Sequence, residues 1–451
     1  MPIREYALQK LAANSPVTRS CNPGHALWGA VALLVLAGCA ANATRPNALD
    51  QAARADTSRF IVVAVANDPD PGLAHPGSST RGYAGDEGYI VSDQARRAMR
   101  SLAAQYRLRQ VDAWPISLLH LQCAVFALPA GVTRDSILTQ LQADQRVALV
   151  EPLQEFNVRT TSERAAIADP YAEQQSGNER MDIGRAHRMS RGRGVRIALI
   201  DTGLASDHPE LRGRVDVQRN FVDDDARRFQ LDRHGTAIAG VIAANADNGL
   251  GITGVAPEAR LLALKACWQL QDGRDDARCN SFTLAKALAS AVELKAKIIN
   301  LSLTGPPDAL LEALALAAMR AGIIIVGPNS DGPSFPGSLK NVLGVARSED
   351  QAVAPGVLQA PGLEVLTLAP GGRYDFSSGS SIATGEIAGV TALLLARASG
   401  LDSIRVHALL SGSTDTFATA AGPARSVNAC RALATLIGTE PISRGECAVR
   451  R

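Results

Sequence analysis

The chain has 451 residues, 46% of them hydrophobic, which allows a large core and two or three domains. Its 46 Lys and Arg nearly balance its 44 Asp and Glu, for a formal charge of +2, and no basic stripe or acidic run stands out, so nucleic-acid binding is not expected. Seven cysteines are spread singly, without a CxxC pair or an HExxH, which argues against a structural or catalytic zinc.

Residues 1–25 are polar and mildly basic. Ala26 to Gly38 is an apolar run too short to span a bilayer as a stable helix but suited to the h-region of a signal peptide. Leu36-Ala-Gly-Cys39 matches the lipobox of bacterial lipoproteins, in which the cysteine is lipidated and becomes the mature N-terminus. Residues 1–38 are therefore expected to be a lipoprotein signal peptide, with Cys39 the lipidation site. Ala40 then implies, by the sorting habit of such proteins, an outer-membrane anchor on the periplasmic face or the surface. An ordinary secretory signal and a short buried helix are the alternatives. Residues 39–58, rich in Ala, Asn and Arg without apolar periodicity, suit a flexible tether.

Over residues 59–156 the spacing predicts a strand at Phe60–Val65, a Pro/Gly-rich loop over about 67–88 and a helix from Ala95 to Tyr106. Strands at 108–114 and Leu121–Leu128, a helix from Thr133 through Leu141 and a strand at Val147–Val150 follow. The order βαββαβ predicts a small α+β ferredoxin-like domain with its helices on one face, a fold that by itself says little about function. Residues 157–180 are polar and read as an exposed linker open to proteolysis.

Residues 181–435 alternate short β-rich runs (Val195–Ile200, Arg260–Lys265, Ile298–Leu303, Ile323–Val326, Val342–Val345) with helical stretches near 235–245, 282–296 and 308–321. This predicts an α/β domain, a mostly parallel sheet flanked by helices, with its chemistry beyond the carboxyl ends of the strands. Asp201 closes an apolar strand, and His234 leads into a thin apolar helix. Ser381 follows the small-residue turn Ser377–Ser381 at the start of a helix that is apolar on every side. A first-turn serine lies among unpaired N–H groups that favour negative charge beside its hydroxyl. Singly, Ser380 or Ser381 reads as an N-cap, His234 as a structural histidine and Asp201 as a strand-end cap. Together, an acid, an imidazole and a hydroxyl at element termini of one sheet can form a proton relay.

Asp201-Thr-Gly203, His234-Gly-Thr236 and Gly379-Ser-Ser-Ile-Ala-Thr384 resemble the three catalytic boxes of subtilisin-like serine proteases, in that family's chain order. Gly251–Pro257, Ile299–Leu303 and Val427-Asn-Ala429 resemble its connecting and closing segments, so the likeness covers about residues 175–435. It implies a serine endopeptidase acting through an acyl-enzyme on protein or peptide substrates, with Ser381 as nucleophile, His234 as base and acid, and Asp201 orienting it. The oxyanion asparagine maps onto Asn329, the substrate-binding strand onto Ser302, Leu303, Thr304 and Gly305, and the opposite pocket wall onto Gly327.

Residues 59–156 resemble the pro-domain of such enzymes, an intramolecular chaperone and inhibitor whose tail is cut in cis. The resemblance thus implies an exported, self-processing zymogen, a monomer with its own pro-domain as partner, cut between about residues 153 and 175 and possessing a C-terminal tail over 436–451. No cofactor is needed for the chemistry. A structural calcium, held by Glu210 and by Asn248 in the loop Ala246–Ile252, stands against an ordinary solvated turn. Cys267–Cys279 and Cys430–Cys447 are the expected disulfides in an exported chain, leaving Cys123 unpaired.

Departures from the family pattern are Pro328 before the asparagine, Gly385 for a proline, Ser380 for a threonine, Ala237 after His-Gly-Thr and Thr304 for a glycine. They leave open a second class, a catalytically impaired protease-like binding protein. Gly249-Leu-Gly-Ile-Thr-Gly254 fits a dinucleotide fingerprint, but in the reverse order of elements. A second Asp-Thr-Gly or Asp-Ser-Gly for an aspartic protease is missing, and the Gly-x-Ser-x-Gly of an α/β-hydrolase is broken at Ala383.

Overall fold

The computed structural model describes residues 56–68, 91–158, 161–163, 171, 174–270, 276–329, 332–350, 353–419 and 422–438. The expected signal peptide, Cys39, nearly all of the tether, most of the 67–88 loop, Cys447 and the C-terminal tail lie outside them.

The N-terminal domain runs β1 (Phe60–Ala66), α1 (Asp93–Gln105), β2 (Arg109–Ile116), β3 (Leu121–Ala127), α2 (Arg134–Gln142) and β4 (Val147–Pro152). Its four-stranded sheet has the order β2-β3-β1-β4, matching the expected βαββαβ pattern. Period-2 alternation sends β1 side chains to two different cores. Ile61, Val63 and Val65 pack with Met99, Leu102, Ile137 and Leu141 of the domain's own helices. Phe60, Val62 and Ala64 face the other way, into a cluster shared with the larger domain.

Between the domains lie two short strands, β5 (Glu155–Val158) and β6 (Thr161–Glu163), then α3 (Ser176–Arg180) and α4 (Ile183–Ala186). The polar sequence here predicts an exposed linker. Both strands instead complete sheets of the larger domain, because an edge strand supplies the partners that their own side chains do not specify.

The larger domain continues through β7 (Arg196–Asp201), β8 (Val215–Asn220), α5 (Ala226–Leu231), α6 (Arg233–Ala243), β9 (Arg260–Lys265), β10 (Cys267–Gln269), β11 (Ala277–Asn280), α7 (Ser281–Glu293) and β12 (Ile298–Leu301). It is completed by α8 (Ala309–Arg320), β13 (Ile324–Pro328), β14 (Leu343–Arg347), β15 (Leu358–Ala360), β16 (Val365–Ala369), β17 (Arg373–Ser378) and α9 (Ser380–Arg397). Last come α10 (Ser403–Ser411), β18 (Thr414–Thr419), β19 (Gly422–Val427) and α11 (Ala429–Ile437).

Seven strands form the central sheet in the order β15-β14-β13-β12-β7-β9-β8, all parallel. Helices cover both faces, so the strands are apolar throughout rather than alternating. In β7, Ile197 and Leu199 join the core with Ile238 and Ile242 of α6 and Ile382 and Ile387 of α9. Ala198 and Ile200 join the opposite core with Leu284 and Leu288 of α7 and Leu311 and Leu314 of α8. That second core is the one the N-terminal sheet closes. The Trp114 ring meets Phe282 edge-on at 4.5 Å, a pairing worth about 1 kcal/mol beyond the area it buries.

The six predicted helices are observed within a few residues of their expected bounds, while α3, α4, α5, α10 and α11 were not predicted. Cys267 and Cys279 are joined as expected, bridging the directly paired residues of β10 and β11. Cys430 is also disulfide-bonded, and Cys123 is a buried free thiol that burial makes harder to ionise.

One buried group lacks a reason in the sequence patterns. Glu386 points from α9 into the core with its Oε2 unpartnered among the described residues, and Gly177 of α3 packs over it. Desolvation pushes its carboxyl up to about 8 from the ordinary 4.5. Neutral Glu386 costs the fold little. As pH rises from 4.5 towards 8 the unfolded chain ionises first, so stability present at low pH is progressively lost. Glu386→Gln, in a Ser381→Ala background that prevents autolysis, should match the parent near pH 5 and melt roughly 5 °C or more above it at pH 9. Melting curves at the two pH values decide this, and a difference independent of pH would refute it.

Candidate active site

Three polar residues stand at element ends on the carboxyl side of the sheet, and the side chains of two of them, Asp201 and His234, are in contact. Asp201 is the last residue of β7, His234 is the second of α6, and Ser381 is the second of α9. His234 Nδ1 lies 2.7 Å from Asp201 Oδ1, both side chains being 0% exposed. The same carboxylate oxygen accepts from Thr202 N–H at 2.6 Å. With its proton on Nδ1, the imidazole keeps Nε2 as its basic nitrogen, and Nε2 is buried without a hydrogen-bond partner among the described residues.

Two contacts place the start of α9 beside β12 and α6, while no hydrogen bond joins Ser381 to His234 Nε2. The Ser381 carbonyl accepts from Ser302 Oγ at 3.1 Å, and Ser302 is held in turn by the Asn300 amide at 2.9 Å, at the end of β12 beside β7. One turn on, the space where a Gly385 side chain would stand is closed by Ile238 and Val241 of α6. Gly385, the departure from the family's proline, therefore lets α6 and α9 touch closely just where they carry His234 and Ser381. The N-cap reading of the two serines is corrected: Gly379 is the N-cap, with φ 158°, and both serines lie inside the first turn. Serine at that position adds no cap.

Pro328 ends β13 in register with Val345, and the next N–H, that of Asn329, donates to Val345 O at 2.7 Å. The lost proline donor thus leaves the strand end intact. The half-buried Asn329 amide makes no hydrogen bond among the described residues. Gly327 is required by close approach, since a Cβ there would run into the Pro336 ring.

The expected substrate strand is covered by the chain itself. Thr304 exchanges two backbone hydrogen bonds with Asn157, at 3.0 and 3.2 Å, while β5 pairs along its other side with β11, Phe156 opposite Cys279. The buried Phe156 ring fills the space over Gly305 and meets Phe335 at 5.8 Å. On the far side of the serine, β6 pairs with β17, Thr161 opposite Ser378. Strand β11, the second wall of the cleft, was missed in the sequence because only four residues form it; its signal was the local cysteine pair.

Glu210 and Asn248 are brought together, but they serve each other. The Asn248 amide donates to Glu210 Oε2 at 2.8 Å, while Oε1 accepts from Ile252 N–H and Tyr374 Oη at 3.0 Å each. Glu210 Oε2 thus accepts one donor and Oε1 two, and the described residues hold no group of three or more His, Cys, Asp or Glu at this loop.

Comparison with known proteins identifies the family and the fold. A sequence model of the subtilase family matches residues 192–429, 238 of the 451 in the chain. The chain is 36% identical over 240 residues to an intracellular serine protease of Paenibacillus polymyxa, covering 48% of this chain and 72% of that one. It is 30% identical over 252 residues to thermitase of Thermoactinomyces vulgaris, covering 52% and 88%. Among solved structures, fervidolysin from Fervidobacterium pennivorans, a keratinolytic enzyme related to subtilisin, aligns with a TM-score of 0.63 at 20% identity, over 83% of this chain and 60% of that one.

Proposed function

The chain belongs to the subtilase family and is a subtilisin-like serine endopeptidase, and on that premise we propose that Asp201, His234 and Ser381 carry out the chemistry and that the chain is a self-processing zymogen. The observation that carries the first part is the 2.7 Å contact between two fully buried side chains, Asp201 and His234, in front of the α9 N-terminus. Ser381 Oγ attacks the scissile carbonyl while His234 Nε2 takes its proton, and Asp201 holds the imidazolium that forms. The Asn329 amide and the Ser381 N–H stabilise the oxyanion. The imidazolium returns its proton to the leaving amine, and water then repeats the sequence on the acyl-enzyme.

The zymogen reading rests on the path of the chain. Strand β5 enters the cleft as an added strand, as a substrate would, and β6 leaves it along β17, three residues before Ser381. Residues 159 and 160, which join them, lie outside the described residues. Cleavage among the bonds from Val158 to Thr161 would turn the N-terminal domain into a bound inhibitor. The apolar run ending at Leu36-Ala-Gly-Cys39 supports export and a lipid anchor upstream of that cut, so processing leaves the catalytic domain tethered only while the pro-domain stays docked.

Docking places two acids face to face. Glu151 of β4 accepts from Ala309 N–H at 3.1 Å at the start of α8, beside Asp308, whose carboxylate accepts from Ser281 Oγ and Leu311 N–H. Burial, then the Asp308 charge, raises the Glu151 carboxyl well above the ordinary range, and burial raises Asp308 as well. Cys123 is the other titratable group beside Glu151. The docked pair therefore retains a proton that the separated carboxylates release, so docking is strongest in acid and weakens as pH rises through the raised values.

Three outcomes check the proposal. Ser381→Ala should lower turnover by about 10⁶-fold, as removal of the triad serine does in subtilisin, and abolish labelling by a fluorophosphonate probe. Side-by-side mass and N-terminal sequencing should find wild type cut between Val158 and Thr161 and Ser381→Ala uncut. An equal cut in both assigns processing to another protease, and an uncut, unlabelled wild type refutes the enzyme mechanism. Size-exclusion of the nicked complex from pH 5.5 to 8.5 should show the pro-domain lost as pH rises in wild type but retained in Glu151→Gln, whose amide oxygen still accepts from Ala309.

A further inference from the structure

Lys265 ends β9 in register with Asp201, on the strand beside it, and is buried. Its ammonium is paired with Asp232, two residues before His234. A buried ion pair is costly to assemble, and an aliphatic pair of similar volume often serves stability better. Its position against the catalytic acid calls for a different account.

Asp232 is the N-cap residue of α6, and an aspartate there ordinarily accepts from its own helix, for about 1 kcal/mol. Here the side chain makes no cap hydrogen bond. Oδ2 is spent instead on the Lys265 ammonium and on Gly203 N–H, 2.8 Å away in the loop that follows Asp201. Around this contact the loop and the helix start are tied repeatedly. Gly235 N–H donates to Thr202 Oγ1 at 2.9 Å, Ala205 N–H donates to Thr236 Oγ1 at 2.9 Å, and Thr236 Oγ1 donates to Asp232 O at 2.5 Å. Side chains are absent where the two backbones meet, since a Cβ on Gly203 or Gly235 would strike the facing carbonyl oxygens.

We propose that the Lys265–Asp232 pair is the positioning element of the acid–imidazole couple: it clamps the Asp201 loop to the start of α6, and its paired charges keep the field at His234 balanced. The inference rests on the triad reading above. The charged groups around the pair are Asp201 on β7, Asp225 before α5, which Lys265 stabilises as an anion, Arg233 on α6, itself paired with Asp375 of β17 at 2.7 Å, and Asp223, Arg227, Arg228 and Arg373, which line the same cavity. Burial raises the Asp232 carboxyl and Asp201 adds to this, whereas Lys265 opposes it, so the lysine is what permits a second buried carboxylate beside the first.

The test is the pH profile of kcat/KM on a peptide substrate, with kcat and KM resolved separately, for wild type, Asp232→Asn and the double variant Asp232→Asn/Lys265→Met. Asp232→Asn keeps an oxygen for Gly203 but leaves an unbalanced cation beside the imidazole. Its acid limb should move down by about one pH unit, with kcat reduced and KM little changed. The double variant restores neutrality, and its limb should return to the wild-type position. Limbs that coincide in all three, with losses that track only the folded fraction, overturn the proposal. Should Asp232→Asn not accumulate, Asp232→Glu decides: the same charge on a longer arm should lower kcat at constant KM without moving the limb, and wild-type kcat in that variant overturns positioning. A wild-type enzyme that neither cleaves peptides nor takes a fluorophosphonate would instead refute the triad reading itself.

Discussion

A parallel sheet covered on both faces leaves its strands nowhere to hold a polar side chain except at their ends, and the molecule is arranged around that constraint. Leu199 and Ile200 of β7 sit in two different apolar cores, and Asp201, one residue further on, is the first that can meet other polar groups. It is still fully buried, and of its two carboxylate oxygens only Oδ1 finds hydrogen-bond partners among the described residues. Thr202 N–H and His234 satisfy one carboxylate oxygen, and the glycine-lined contact between two backbone segments makes room for them. The same logic puts Asn329 beyond β13 and Ser302 beyond β12, each held by backbone or by a neighbouring polar group rather than by solvent.

How far this was legible depended on whether a residue's environment is set by its near neighbours in sequence. The central strands and the thin helices α6 and α9 could be read because long apolar runs interrupted by Gly and Ala admit few alternatives. Asp201, His234 and Ser381 stood out as polar residues at the ends of such runs. Strands β5 and β6 could not be read: Asn157 and Ser162 have no strand signature, and their conformation comes from the edges they meet, β11 and Thr304 on one side and β17 on the other. Asp232, the N-cap residue of α6, makes no cap hydrogen bond, and Lys265 at the end of its strand is buried; nothing in the sequence marks either. In both cases the deciding partner is about thirty residues away in the chain, the separation of Asp232 and Lys265 being 33. Glu386, within an otherwise apolar helix, had no signal marking its burial.

Three of the five departures from the family pattern have individual structural explanations. Pro328 costs a donor that the next residue supplies, Gly385 exchanges rigidity at a helix start for close helix packing, and Thr304 engages through its backbone, so its side chain does not govern pairing with Asn157. None of them breaks the contact between Asp201 and His234.

The N-terminal sheet has two apolar faces and helices for only one of them. Its second face, including Phe60, Val62 and Val125, is roofed by α7 and α8 of the domain it covers. Such a sheet behaves as half of an assembly. Leaving its partner would open that face to water, and a domain of this size has little stability in reserve to absorb the exposure. Departure and unfolding are therefore coupled, and an unfolded segment is what an endopeptidase digests most readily. On the zymogen reading proposed above, the docked domain is a folded obstacle and the released one becomes a substrate, so release would run in one direction only.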